Sequence, residues 1–261
     1  MTPDAVNDQS KHLIAVAILW IVLTAIGIGL AAIDIYPVEA AEFADESDKI
    51  FRFLMFLGMP VLTFVFAVIA YAVLRFKTGN IDDVGPPIKG TGMVPRVWLG
   101  VTGALAIFVM IYPGLVGVAD LRKNGDDYGF GPAIAGDRIE VNVTAFQWAW
   151  RVEYPEQGIT LNSATDEMVL PVHSQVVFRI TSSDVVHSFW IPAFRMKIDA
   201  IPGRTTMLVV EPTRTGDYAS DAAYRVQCAE LCGLDHSDMV MHLRVVEEDE
   251  FEQWLASKGS N

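Results

Sequence analysis

Ile139-Glu140-Val141-Asn142-Val143-Thr144-Ala145 alternates apolar and polar side chains with a period of two. Successive side chains of a strand point to opposite faces, so this stretch describes a β-strand with one face in a core. Further strand-like stretches follow at residues 168–181, 204–211, 224–228 and 239–246, separated by clusters of Pro, Gly and Asp. Short strands at that spacing predict an antiparallel sandwich or barrel from Asp137 onward. The tail, residues 249–257, reads as a short closing helix.

Upstream the pattern is different. Residues 13–33, 53–74 and 97–119 contain no Asp, Glu, Lys or Arg. At about 1.5 Å per residue, about 20 residues cross the roughly 30 Å hydrocarbon layer of a bilayer. Each run is long enough to span, and three of them ahead of Asp120 speak against buried core helices. Arg52 and Arg75 frame the second run as interfacial residues. Between the second and third runs lie Arg75, Lys77, Lys89 and Arg96 against Asp82 and Asp83, which places that segment on the cytoplasmic side. The second and third runs then form a transmembrane hairpin, and the chain after Asp120 lies outside. Pro113 and Gly114 are tolerable in a membrane helix whose neighbours satisfy the freed backbone groups.

The first run is an extra transmembrane helix or a signal peptide. Val38 and Ala40 make a small-residue cleavage pattern, but Asp4 and Asp8 outnumber Lys11, and a signal core normally has about 7–15 residues. The balance leans to a retained helix, and both options leave residues 41–49 outside. The expected division is an apolar N-terminal segment (1–40), a transmembrane hairpin (41–119) and an outer domain (120–261).

Composition agrees with that division. The chain is 52% hydrophobic yet carries a net charge of −13, and 12 basic residues face 22 acidic ones from Asp120 onward, against 7 and 10 before it. An acidic outer domain lacks the Lys/Arg stripes that bind phosphate backbones, which excludes nucleic acid as a partner. It suits a basic partner drawn in electrostatically. With only two cysteines, a disulfide-stapled scaffold is excluded as well.

Those two cysteines sit in Cys228-Ala-Glu-Leu-Cys232-Gly-Leu-Asp-His236-Ser-Asp-Met239, downstream of His187. Thiolate, imidazole and thioether form a soft ligand set that favours copper, and one Cys, two His and a weak Met make a blue-copper site. His187, Cys232, His236 and Met239 would already supply one. Cys228 is the surplus ligand. Two thiolates four residues apart can bridge two copper ions, with His187 and His236 capping one ion each and Met239 and a backbone carbonyl completing the shells. A disulfide or a zinc site fits parts of this set, and neither explains Met239. His12, His173 and His242 read as ordinary surface or core histidines.

The C-x3-C-x3-H-x2-M loop, Asp184-Val-Val-His187-Ser-Phe-Trp190, Lys197-Ile-Asp-Ala-Ile-Pro-Gly-Arg204 and Gln147-Trp-Ala-Trp150 resemble subunit II of the haem-copper cytochrome c oxidases. The likeness covers about residues 45–255. It implies a membrane-anchored, all-β outer domain with a cupredoxin-like Greek-key fold. It also implies a dinuclear copper, CuA, held by His187, Cys228, Cys232, His236, Met239 and the backbone carbonyl of Glu230, whose carboxylate would reach a magnesium ion at the boundary with the catalytic subunit. Trp148 would be where the electron enters from cytochrome c, with Trp150 in the core, and Asp184 and Asp238 would meet the donor's lysine-rich face.

The function so implied is that of an electron-accepting subunit in a prokaryotic inner or plasma membrane, its copper domain on the periplasmic side. Electrons would pass to haem in subunit I, where oxygen is reduced to water with proton translocation; subunit III and lipid are further partners. Alternatives are a membrane-tethered mononuclear blue-copper carrier and the CuA subunit of a nitric oxide reductase. Two features depart from the family pattern. Ala149 replaces a usual aromatic, and residues 84–118 hold no Asp or Glu, where many members have a glutamate that helps feed protons to subunit I.

Overall fold

The computed structural model describes residues 3–77, 92–121, 129–130 and 138–258. Most of the segment assigned to the cytoplasmic side, with Asp82, Asp83 and Lys89, lies outside the described residues. Three stretches, 10–31, 44–75 and 95–119, are helical, long and apolar enough to cross a membrane. The chain divides into two compact units, one made of residues 1–35 and 48–108, the other of residues 36–47 and 109–261.

In the first unit, α1 (Pro3–Ala31) packs on α2 (Ala44–Arg75). The contact runs along their length through polar groups that hydrocarbon cannot satisfy. The Thr24 and Thr63 hydroxyls lie 2.7 Å apart, the Trp20 indole N–H donates to the Pro60 carbonyl at 2.8 Å, and His12 Nδ1 lies 2.7 Å from the Tyr71 hydroxyl. Gly27 lets the helices approach, since a Cβ there would come within 2.6 Å of the Met59 side chain. The third helix, α3 (Met93–Val109), touches α2 through Phe108 and Phe53, ring centroids 6.4 Å apart.

The third apolar run is not one continuous helix. Past α3 the chain widens into a π-type segment, Met110–Leu115, in which Tyr112 is extended (φ −135°, ψ 121°), before α4 (Val116–Leu121) resumes. Pro113 lacks an N–H and disfavours the helical conformation of the residue before it. The proline therefore interrupts the helix at Tyr112 rather than being absorbed into it.

The second unit is a two-sheet sandwich. Its strands are β1 (Gly129–Phe130), β2 (Arg138–Phe146), β3 (Ala149–Tyr154), β4 (Ile159–Asn162), β5 (Met168–Pro171), β6 (Gln175–Ser182), β7 (His187–Ile191), β8 (Met196–Ala200), β9 (Thr206–Val210), β10 (Gly216–Asp217), β11 (Arg225–Cys228) and β12 (Val240–Val246). One sheet has the order β1-β9-β6-β2-β3-β4, the other β10-β12-β11-β7-β8 with β5 beside β12. In β2, Val141, Val143 and Ala145 are wholly buried, as the alternation requires. Trp150 and Phe178 from the first sheet meet Phe189 from the second at 5.7 and 5.1 Å between ring centroids. Side chains of this size contribute about 1.5–3 kcal/mol each on full burial.

Two strand expectations need correction. The sheets are mixed, because β1 and β9, β2 and β6, and β5 and β12 pair in parallel. Residues 168–181 are not one strand but β5 and β6, which belong to different sheets. A corner at His173 (φ 59°) separates them, held by its N–H on the Pro212 carbonyl at 2.7 Å. The closing helix α5 (Glu248–Lys258) buries Phe251 and stacks Trp254 edge-on against Tyr154 at 5.3 Å.

Residues 36–47 belong to this unit through backbone hydrogen bonds. The Ala40 N–H donates to Ala193, the Ala40 carbonyl accepts from Thr213, and the Glu42 N–H donates to Glu211. The Arg195 guanidinium donates to the Pro37 and Val38 carbonyls.

Candidate metal centre

Strand β7 begins at His187 and β11 ends at Cys228. The two strands pair antiparallel, with Cys228 opposite Phe189, and the Ala229 N–H donates to the Ser188 carbonyl at 3.0 Å. The loop leaving β11 returns to β12 at Met239, and the Cys228 N–H donates to the Met239 carbonyl at 3.1 Å. Both ends of the loop are thus pinned together, folding Cys232, His236 and Met239 back over His187.

The donor atoms converge. His187 Nδ1 lies 3.8 Å from Cys228 Sγ, and the two sulfurs are 3.7 Å apart. His236 Nδ1 lies 3.5 Å from Cys232 Sγ, Met239 Sδ 3.9 Å from the same sulfur, and the Glu230 carbonyl oxygen 3.2 Å from Cys228 Sγ. His187, Cys228, Cys232 and Met239 are buried, and both cysteines are free. The sulfur separation is far beyond the roughly 2.05 Å of a disulfide. It is less than twice a metal–thiolate distance of about 2.3 Å, so both sulfurs can touch one soft cation. The set fits a copper centre in chemistry and spacing. Burial, and then the neighbouring Cys228, push the Cys232 thiol up to about 12, so a metal must displace its proton on binding.

Around this set the protein supplies orientation. Asp184 Oδ1 lies 2.9 Å from His187 Nε2, which leaves Nδ1 of the ring facing Cys228. A carboxylate on the far nitrogen of a ligating imidazole fixes both ring orientation and tautomer. The same carboxylate accepts the Gln147 N–H at 2.6 Å and the Val185 N–H at 2.6 Å. Burial raises the Asp184 carboxyl, but the hydrogen bonds from Gln147, His187 and Val185 outweigh it and hold it below the ordinary carboxylate range. Asp184, expected at the donor-docking face, is therefore engaged with the centre itself. Asp238 is exposed in the turn before Met239, beside the Ser237 hydroxyl at 3.4 Å.

The two tryptophans separate. Trp150 is wholly buried, donates to the Met239 carbonyl at 3.3 Å and sets its ring 6.4 Å from that of His187. Trp148 is half-buried in the β2–β3 turn, with its indole N–H 3.3 Å from the Cys232 carbonyl. The Glu230 side chain is exposed while its carbonyl faces inward. His242 stacks on Tyr218 at 3.9 Å, and His12 and His173 lie in α1 and at the β5–β6 corner, so none of the three joins the cluster. Gln147, flanking Trp148 in the aromatic motif, is not marked out by the sequence, yet its side-chain amide donates to the Cys232 carbonyl at 2.7 Å. Its only signal is membership of that motif.

Residues 157–246 match the model of a family described as cytochrome c oxidase subunit II, periplasmic domain. The cytochrome c oxidase subunit 2 of Synechocystis is 28% identical over 260 residues, covering 85% of this chain and 75% of that relative. That of Thermostichus vulcanus is 29% identical over 262 residues, covering 84% and 76%. Among solved structures, the periplasmic domain of subunit II of the Bradyrhizobium japonicum oxidase is 32% identical, covering 49% of this chain and 97% of that one, with a TM-score of 0.44. Matched by that family model across the loop that holds both cysteines, and aligned with subunit 2 relatives over more than four-fifths of its length, the chain belongs to the cytochrome c oxidase subunit II family.

Proposed function

We propose that this chain accepts electrons from cytochrome c at a dinuclear copper centre and passes them toward haem in the catalytic subunit, where oxygen is reduced to water and protons are moved. The observation that carries this reading is the pair of buried, free thiols 3.7 Å apart, each with a histidine Nδ1 within 3.8 Å. A mononuclear blue-copper site has no use for the second thiol.

His187, Cys228, Cys232, His236 and Met239 would hold the copper, with the Glu230 carbonyl as an oxygen donor. When bound, the copper supplies a one-electron couple. The chain's own residues do the rest. Asp184 orients His187, and the packed walls around Met239 and Trp150 hold the donors in one arrangement and exclude water. Trp148 offers an indole at the surface, hydrogen-bonded to the backbone of a thiolate ligand. Exposed acids, Asp238 among them, would steer a basic donor toward this face in a salt-dependent way. The exposed Glu230 carboxylate would serve a magnesium ion at the boundary with subunit I.

The anchor comprises the hairpin together with α1, whose polar contacts with α2 support its retention. The sandwich would lie on the periplasmic side, with subunits I and III as neighbours in the membrane.

Copper analysis with EPR tests the reading. Two coppers per chain sharing one unpaired electron are expected, and Cys228→Ser should abolish that mixed-valence signal. One copper with a single-nucleus hyperfine pattern, or a mixed-valence signal that survives Cys228→Ser, would overturn it in favour of a blue-copper carrier.

A further inference from the structure

Gln147 touches both halves of the centre from a third segment of chain. Its backbone N–H donates to Asp184 Oδ2 at 2.6 Å, and the other oxygen of that carboxylate lies 2.9 Å from His187 Nε2. Its side-chain amide donates to the Cys232 carbonyl at 2.7 Å. The Trp148 indole donates to the same oxygen at 3.3 Å. One carbonyl has two lone pairs and can take both donors, but a separation of 3.3 Å is long for an N–H···O bond. The amide makes the tighter attachment.

The loop is shaped to allow this. Gly233, with φ +128°, faces the turn, and a Cβ there would come 3.0 Å from Gln147 Nε2, 3.0 Å from Trp148 Nε1 and 3.1 Å from Trp148 Cζ2. Both N–H groups reach the Cys232 carbonyl because the next residue has no side chain.

We infer that Gln147 is a positioning residue for electron uptake: it clamps the cysteine loop to the β2–β3 turn, so that the Trp148 indole is held on the carbonyl of Cys232. The path from indole to thiol then runs through a hydrogen bond and the atoms of one residue instead of an open gap. This rests on the copper reading above. The competing role for an exposed glutamine at this place is direct contact with the donor, and the two roles respond oppositely to charge.

Gln147→Glu keeps the side-chain length, removes the amide donors and adds a negative charge. A docking residue facing a basic donor would gain from that change. A positioning residue would lose, because a carboxylate cannot donate to the Cys232 carbonyl. Measured on the copper-loaded oxidase by stopped-flow reduction with cytochrome c, both Gln147→Glu and Gln147→Ala should slow electron uptake. The expected drop is about fivefold or more, the population change that one net hydrogen bond commands. Gln147→Ala should leave the dependence on ionic strength unchanged. Gly233→Ala should slow uptake in the same way with Gln147 intact.

A second readout needs no copper. In the metal-free full-length chain, hydrogen–deuterium exchange over residues 229–234 should rise in Gln147→Ala. Uptake by Gln147→Glu at or above the wild-type rate, or exchange in that loop unchanged by Gln147→Ala, would overturn the inference. Failure of the wild-type chain to bind two coppers would instead overturn the copper reading, and the exchange measurement would still decide whether Gln147 clamps the loop.

Discussion

Replacing Asp184 by asparagine isolates the orientation of His187 from donor docking. The carboxylate faces three nitrogen donors at once, the Gln147 N–H at 2.6 Å, the Val185 N–H at 2.6 Å and the His187 ring at 2.9 Å, with the Ser182 hydroxyl 3.2 Å away as well. An asparagine has one carbonyl oxygen, so its NH2 must face at least one of these donors. Hydrogen bonds to a charged acceptor contribute roughly 1.5–3 kcal/mol. The Asp184 side chain is 31% exposed, so water replaces part of the loss and the lower figure applies, about 1.5 kcal/mol. His187 itself is fully buried and has no such replacement. Asp184→Asn should therefore weaken copper binding about tenfold, at the low end of the roughly 10- to 100-fold seen when a partner of a ligating histidine is removed. Competition against a copper chelator, followed by the EPR hyperfine pattern, measures it. Wild-type copper affinity, with a loss confined to the salt-dependent rate of reduction by cytochrome c, would show that Asp184 serves docking and refute the orientation argument.

Three further outcomes are expected. Met239→Leu should retain copper while shifting its potential and slowing oxidation of cytochrome c, since a buried thioether 3.9 Å from Cys232 Sγ is lost without loss of volume; unchanged turnover would count against Met239 as a ligand. The Lys258 ammonium, hydrogen-bonded at 2.8 Å, is the main cause that holds the Asp166 carboxyl below its ordinary value, against a smaller rise from burial. The unfolded chain thus binds the proton more readily, and the stability this pair contributes is present above about pH 4 and lost as pH falls through the lower folded value. Being partly exposed, it contributes less than about 1 kcal/mol, and thermal unfolding of Lys258→Met should lack that component of the acid-side slope. The mature chain should keep α1, because its Thr24–Thr63 and Trp20–Pro60 hydrogen bonds and the Gly27 contact build it into the anchor. An intact mass lacking the first forty residues would refute this.

Features that depend on composition and short spacing are legible in the amino-acid sequence. The three apolar runs follow from the cost of leaving polar groups in hydrocarbon, and the loop from Cys228 to Met239 gathers four soft donors of three types, two thiols, an imidazole and a thioether, in one short stretch of chain. The alternation in β2 shows which face is buried. Residues 168–181 mislead because β5 is apolar throughout and β6 opens on the apolar run Val176-Val177-Phe178, so the corner between two buried strands leaves little trace in periodicity. Parallel pairing of β2 with β6 is set by contacts across intervening chain, which local pattern does not encode. The hydrogen bonds of Asp184 to Gln147 and His187 are not legible either, because an aspartate near a metal motif carries no mark of which donors it faces.

Residue chemistry and nearest-neighbour order are enough to specify the inventory: segments long and apolar enough to span a membrane, an acidic β domain and a soft donor set suited to copper. Which atoms meet is a matter of the folded domain. The pairing of β7 with β11 brings His187 to Cys228, 41 residues apart, and the β2–β3 turn reaches Cys232 across 85 residues through Gln147. Such contacts are fixed by sheet register and loop closure, which the whole domain sets together.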